Sequence, residues 1–505
     1  MKSNPTRDAW AGRLGIILAA AGSAVGLGNL LRFPSIAATN GGGAFIIPYF
    51  LAFLLLGLPM CWVEWTMGRY GGQYAVGDAP GIIRAIAAKP RWLKYFGIIG
   101  TFGPLGISFY YLYIESWSLA YAALALLGTY RGIDDPEAMN RLFVAYIHSP
   151  WRFLPFAVTF GANFLILYRG VSRGIERLCR ISMPVLILAG LVIAGKVLFL
   201  GAPIPGRPEW NVSNGFGFLW NPDFSQLLSP KIWLAAASQI FFSLSIGIGC
   251  LMTYASYLRR DDDVALGSTT AAMLNELIEV VIGASIIIPA AFCFFGPVGT
   301  QQAIEGGMFG LGFRTMPLIF NHVGYGAVLG VVWFSLLFVA GLTSTVSMIH
   351  PSLAFFEERL GLTRKRAVAV VGGMLLAGSW LSMVRDYTMD ELDFWFSMFS
   401  LPLFACIELF VFLRYIGPVK GWCLLHEAAR LRIPRVFRFV LTWITPVILA
   451  GILLSWAATD GWRRLLLIGV PEEQRFWIVV VRVGYVALFG FGMFLVKRAY
   501  GGGKR

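Results

Sequence analysis

The chain has 505 residues, 57% hydrophobic and 13% charged, with a mean hydropathy of +0.69. No water-soluble fold of this length buries that much apolar side chain, so the composition describes a polytopic membrane protein. The net charge of +14 does not point to nucleic acid, because roughly 27 of the 41 Lys and Arg fall in expected cytoplasmic segments and about 10 outside.

Apolar segments of about 20 residues, each enough for one crossing, lie near 14–37, 44–66, 95–125, 153–168, 181–200, 232–256, 270–295, 325–353, 367–384, 394–413, 437–457 and 477–496. About twelve transmembrane helices follow, with both termini on the cytoplasmic side of a cell (inner) membrane. The first segment is too long for a removable signal and lacks a small-residue cleavage motif. The inside set of cations includes Arg84, Lys89, Arg91 and Lys94, then Arg169, Arg173, Arg177 and Arg180, then Arg364, Lys365 and Arg366. Polar outer loops are expected at about 126–152 and 201–230, and a glycine-rich amphipathic one at about 297–323 is expected to fold back as a lid. No linker separates a soluble domain, so residues 1–505 read as a single membrane domain.

The first span contains Gly22-Ser-Ala-Val-Gly-Leu-Gly-Asn29. Each glycine costs a helix roughly 1 kcal/mol relative to alanine, so the helix is expected to break here. Backbone freed at membrane depth persists only inside protein or along a cavity, where its carbonyls can hold a cation and its amides an anion. Ala24-Val-Gly-Leu-Gly28 has an echo in Ser245-Ile-Gly-Ile-Gly249 of the sixth span. Paired interruptions at equivalent places in two halves point to a repeat-built transporter with its site between the halves.

Polar residues at membrane depth coincide with these breaks: Asn29, Ser243 and Ser245, with Asn275 in the seventh span and Thr343-Ser344 in the eighth. Amide, hydroxyl and carbonyl oxygens are hard ligands, and without a carboxylate cluster they suit a monovalent ion better than calcium. Arg32, Glu64 and Glu279 also fall inside spans. Arg32 lies one turn outward of Asn29, as a gate would, with Asp393 as its candidate acidic partner. On the inner side Arg7 and Trp10 precede the first span and Glu358 closes the eighth, a candidate latch weak enough to open.

The six cysteines are scattered and form no CxxC pair, and His148, His322, His350 and His426 lie far apart in sequence. No P-loop, HExxH or GxSxG is present, so no enzyme signature appears.

At these residues the chain resembles the neurotransmitter:sodium symporter family, and within it the bacterial amino-acid transporters. The likeness runs nearly end to end through Trp10-Ala-Gly-Arg-Leu-Gly15, Gly26-Leu-Gly-Asn-Leu-Leu-Arg-Phe-Pro34, Asn40-Gly-Gly-Gly-Ala-Phe45, Glu64-Trp-Thr-Met-Gly-Arg-Tyr70, Tyr110-Tyr-Leu-Tyr-Ile-Glu-Ser-Trp117, Gln239-Ile-Phe-Phe242, Ala340-Gly-Leu-Thr-Ser344 and Asp390-Glu-Leu-Asp-Phe-Trp395. The resemblance implies an all-α fold of the leucine-transporter type, a 5+5 inverted repeat with helices 1 and 6 broken. Repeat one would span about 12–200, repeat two about 230–415, and two additional helices about 436–498.

It further implies two sodium sites, the first formed by Ala24, Asn29, Ser243 and Asn275 with the substrate carboxylate, the second by Gly22, Val25, Ala340, Thr343 and Ser344. The substrate pocket would comprise Ser23, Ala24, Leu27, Gly28, Ile107, Tyr111, Phe242, Ser243, Ser245, Ile248, Ser344, Thr345 and Met348. Amine-carrying members place Asp where this chain has Gly26, so the substrate is expected to bring its own carboxylate to Tyr111 and the amides of Leu27 and Gly28. The carbonyls of Ala24 and Phe242, with Ser245, would hold its ammonium. Glu279 stands where chloride-dependent members bind chloride, which implies chloride-independent transport. Arg32, Asp393, Tyr111 and Phe242 resemble an outer gate, and Arg7, Trp10, Ser256, Tyr257 and Glu358 an inner one.

Relative to leucine-transporting members, Ser243 replaces Thr, Ser23 replaces Asn, Ile248 replaces Phe, Met348 replaces Ile and Ile107 replaces Val. Loss of the aromatic ring opens space and Met adapts its wall, while Ile107 narrows it. The expected activity is sodium-coupled symport of an apolar amino acid, including large or aromatic ones. The alternatives are a symporter of a small or non-standard amino acid, and an amino-acid sensor on a transporter fold. Expected partners are the amino acid and the bilayer, with a homodimer open and nucleic acid excluded.

Overall fold

The computed structural model describes residues 10–501. Helix α1 is broken into α1a (Arg13–Ala24) and α1b (Gly28–Thr39), which meet at 50°. Then follow α2 (Gly43–Gly72), α3 (Leu93–Leu127), α4 (Pro150–Tyr168) and α5 (Val171–Leu198). Helix α6 is again broken, into α6a (Pro230–Ser243) and α6b (Cys250–Ala255). The remainder are α7 (Val264–Glu305), α8 (Gly326–Glu358), α9 (Arg364–Val384), α10 (Asp386–Ile416), α11 (Val436–Trp456) and α12 (Glu472–Tyr500).

Among the described residues, ten of these helices are long and apolar enough to cross a bilayer, and the α1 pair makes eleven. The difference from the expected twelve lies at 232–256, where the chain spends six residues, 244–249, outside helix. Neither α6a nor α6b alone then reaches the length of a span. The strand-like element among the described residues is a single bridge between Gly42 and Pro222.

Local chemistry explains both breaks. In α1 the carbonyl of Ala21 takes the last regular amide, from Val25, whose backbone turns extended (φ −75°, ψ 106°). In α6 the chain passes through the left-handed region at Ser245, Gly247 and Gly249 (φ 55°, 70° and 83°). Glycine is required twice here for a second reason. A Cβ on Gly247 would overlap the carbonyl oxygen of Leu401 in α10, and one on Gly249 that of Gly100 in α3.

The long helices α3 and α8 pack against each other, α1a lies against α5, α7 and α8, and α6b rests on α2. Outward faces are apolar, as bilayer contact demands: Leu165 of α4, Ile181, Val185 and Leu188 of α5, Val447 and Leu454 of α11 and Val483 and Val486 of α12 are all exposed. The expected lid begins where Gly296 (φ 64°) turns the chain back. Short helices then fold onto α3 and α8, with Phe309 and Phe313 5.4 and 5.7 Å from the Trp117 ring and Phe313 stacked on Phe334.

Replacing Gly247 by Ala should lower the melting temperature of the detergent-purified protein, since a left-handed non-glycine residue costs about 1–2 kcal/mol before any overlap with Leu401. Gly373→Ala, at an exposed helical position with open space around it, should leave it unchanged or raise it.

Candidate substrate and ion sites

The break in α1 frees donors and acceptors, and side chains from four other places meet them. The Gly26 amide donates to Asn29 Oδ1 at 2.8 Å and the Leu27 amide to Tyr111 Oη at 3.0 Å. On the acceptor side Ser344 of α8 reaches the carbonyls of Gly22, Ser23 and Val25 at 3.4, 3.2 and 3.2 Å. Ser245, from the other break, donates to the Ser23 carbonyl at 3.1 Å. The Gly247 amide is taken by the buried carboxylate of Glu64 at 2.6 Å.

Two clusters of oxygen ligands result. In the first, Asn29, Ser243 and Asn275 converge: Asn29 Nδ2 lies 2.8 Å from Asn275 Oδ1, and Asn275 Nδ2 donates to Ser243 Oγ at 2.6 Å. Glu279 anchors them, accepting from Asn29 at 2.8 Å, from Gln239 at 2.6 Å and from the Ser243 hydroxyl. In the second cluster Thr343 packs against Gly22 and donates to Ala340, beside the Ser344 hydroxyl and its three carbonyls. The second set consists of neutral oxygens, and the first combines neutral amide and hydroxyl groups with the adjoining Glu279 carboxylate; both offer hard oxygen donors to a small cation.

Between the clusters lies a cavity of about 30 Å³ lined by Ser23, Ala24, Gly26, Asn29, Ile107, Tyr111, Phe242, Ser245, Ile248, Ser344, Met348, Ser397 and Leu401. Nine of the thirteen expected pocket residues therefore face it. Leu27 contributes through its amide, bound to Tyr111, and Gly28 lies outside the lining, where the Phe242 ring leaves no room for a Cβ. Ser243 turns to Glu279 instead. Thr345 faces the opposite way, donating to Glu115 at 2.6 Å, where Asn163 of α4 is bound as well. A Cβ on Gly26 would sit 2.5 Å from Tyr111 Oη, so position 26 has no room for an acidic side chain in this arrangement.

Ser397 and Leu401 were not read from sequence. The available signal was their spacing of four and eight residues from Asp393, which puts all three along one face of α10. On the side of Arg32 the cavity is capped by Phe242, Ser397 and Leu401, above which opens a vestibule of about 590 Å³ reaching Trp456, Arg463 and Arg464. Arg32 stacks on the Phe242 ring at 4.6 Å and donates to Ser238. Asp393 accepts from Tyr110 at 2.6 Å. Arg32 and Asp393, expected as gate partners, thus engage other groups, and no direct ion pair joins them among the described contacts.

The opposite end is closed by aromatic packing. Trp10 donates to the Tyr254 carbonyl at 3.0 Å and meets the rings of Tyr254 and Tyr257 edge-on at 5.2 and 6.5 Å. Tyr254 donates to Ser347 at 2.8 Å, and His350, which sequence reading passed over, lies 3.2 Å from the Tyr257 hydroxyl. Ser256 donates to the Thr253 carbonyl, and Glu358 accepts from the Gly77 amide at 2.7 Å. Arg7 lies outside the described residues.

Two broken helices holding clusters of hard oxygen ligands around a small central cavity, gated differently at its two ends, define a polytopic secondary transporter and not an enzyme. The chain belongs to the sodium:neurotransmitter symporter family, whose model matches residues 7–130 and 151–460. It is a multi-pass, sodium-dependent symporter. An uncharacterized sodium-dependent transporter of Methanocaldococcus jannaschii is 30% identical over 467 residues, covering 88% of this chain and 89% of that one. The sodium-dependent neutral amino acid transporter B(0)AT3 of Mus musculus is 23% identical over 552 residues, covering 93% and 86%. The crystal structure of MhsT in complex with L-phenylalanine superposes with a TM-score of 0.77 at 30% identity, covering 89% of this chain and 99% of that one.

Trp10→Ala should loosen the closed end. Cys179, buried in α5 against Gly22, should then react with a maleimide several-fold faster than in the wild type, as read by peptide mass spectrometry. Unchanged labelling would show that the aromatic latch does not seal that end.

Proposed function

We propose that the protein is a sodium-coupled symporter of α-amino acids with predominantly apolar side chains, large and aromatic ones included, working by alternating access. The observation that carries this reading is the junction of Ser344 with the freed carbonyls of Gly22, Ser23 and Val25, in the lining of a cavity where the Tyr111 hydroxyl lies next to it. A carboxylate at Tyr111 and the Leu27 amide would replace the hydrogen bond these two now make to each other. Gly26 supplies no acid of its own, so the charge complementing the ion comes with the substrate. The phenylalanine bound to MhsT supports an amino acid as that substrate.

In this reading two sodium ions bind. The first uses Ala24, Asn29, Ser243, Asn275 and the substrate carboxylate, so ion and substrate strengthen each other by reciprocal linkage. The second uses Gly22, Val25, Ala340, Thr343 and Ser344 and ties α1a to α8. Glu279, already hydrogen-bonded to the first cluster, supplies the negative charge that chloride brings elsewhere in the family. The Trp10 end is read as cytoplasmic and the vestibule of Arg32 as external, with both termini inside. The two halves of the inverted repeat, about 12–200 and 230–415, would rock about the central cavity.

Reconstituted vesicles carrying an inward sodium gradient should accumulate labelled amino acids above equilibrium. A protein that binds amino acids without accumulating them would be a sensor. Ser344→Ala removes a hydroxyl from the second ion cluster, and at about 1–2 kcal/mol should raise the sodium concentration for half-maximal uptake roughly tenfold. Replacing all chloride by gluconate should leave wild-type uptake unchanged; abolished uptake would remove the role given to Glu279.

A further inference from the structure

Among the described cavity-lining groups, Ser23 Oγ is a buried polar atom that no protein group satisfies. That is unusual for its position. A serine in the last turn of a helix ordinarily turns its hydroxyl back to the carbonyl four residues earlier, here Ala19. Ser23 does not, although its own carbonyl is doubly engaged, by Ser245 and by Ser344. The residue is 4% exposed, so bulk solvent does not meet the hydroxyl either. A buried hydroxyl left this way is a standing cost to the folded state, removed only by a partner that enters the cavity.

The rest of the cavity indicates which part of a substrate that partner is. The carboxylate pole is marked by Tyr111 and the Leu27 amide. The ammonium has the carbonyls of Ala24 and Phe242 and the Ser245 hydroxyl within the same lining. What remains of the lining is Ile107, Ile248, Met348, Ser397 and Leu401 together with Ser23; the Ser397 hydroxyl is engaged by Tyr110, which leaves Ser23 as the unpaired polar member of that set. We infer that Ser23 is a specificity-determining residue whose hydroxyl pairs with a polar atom in the substrate side chain. The protein then selects α-amino acids bearing a hydroxyl or ring N–H over hydrocarbon analogues of equal size. This rests on the amino-acid reading above and narrows it.

The physical basis is asymmetric. An apolar pocket discriminates weakly against an added hydroxyl, whereas a site with a polar group waiting to be paired rejects the analogue that lacks the partner far more strongly. Substrate size is a separate matter. The cavity of about 30 Å³ and the vestibule of about 590 Å³ share Phe242, Ser397 and Leu401 as a wall, so displacement of Phe242 enlarges one at the expense of the other.

The test is sodium-driven uptake competition in reconstituted vesicles with pairs matched in size: threonine against valine, and tyrosine against phenylalanine. In the size class that is transported, the polar member should win by about tenfold or more in the wild type. In Ser23→Ala that ratio, read for both members in the same vesicles whatever the absolute rate, should fall to within about threefold. A wild-type preference for the hydrocarbon member would overturn the inference without any variant. So would an unchanged ratio in Ser23→Ala, or an equal loss of both members, which would mean that Ser23 serves the ammonium. No uptake of any amino acid would overturn the parent reading and this one with it.

Discussion

The structure depends on one constraint: a helix broken at membrane depth must find partners for every backbone group it frees, because lipid offers none. Helix α1 meets it with Asn29 and Tyr111 on its amides and Ser344 and Ser245 on its carbonyls. Those partners come from α1b, α3, α8 and the break in α6. The repair of one helix therefore draws four elements to a single point, and that point is the cavity. In the function proposed above, a sodium ion and a zwitterion would take over the same backbone groups, so that binding would exchange one set of contacts for another.

The exchange also gives the two ends of the molecule different characters. At the Trp10 end, closure is several side chains thick, running from Trp10 through Tyr254 to Ser347. At the Arg32 end it is a single layer of Phe242, Ser397 and Leu401 beneath a wide vestibule. Arg32 and Asp393 each hold a neutral partner there, Ser238 and Tyr110. A thin closure held by one ring and a few hydroxyls has fewer contacts to break than a packed aromatic latch.

Much of this was legible because glycine at membrane depth has few bland explanations. The echo between residues 24–28 and 245–249 located both breaks, and the hydroxyls at Ser243, Ser245 and Ser344 lay in the right spans. Other features could not be read. Thr345 follows Ser344 directly, yet on a helix the next residue points a hundred degrees away, and it is Glu115 that decides what it meets. Ser397 and Leu401 carry no motif and enter the cavity because α10 crosses beside Gly247. His350 looked like an isolated residue until α8 brought it under Tyr257.

Composition and periodicity alone determined that the chain lives in a bilayer, where its helices run, and where two of them must break, since these follow from transfer energies and backbone freedom within short segments. Tertiary structure alone decided which groups satisfy the broken ends, which of two adjacent hydroxyls faces the cavity, and that Ser23 is left over. Those outcomes turn on contacts between residues hundreds of positions apart, such as Ser344 with Val25 and Ser245 with Ser23. A local pattern specifies a need for partners; only packing selects them.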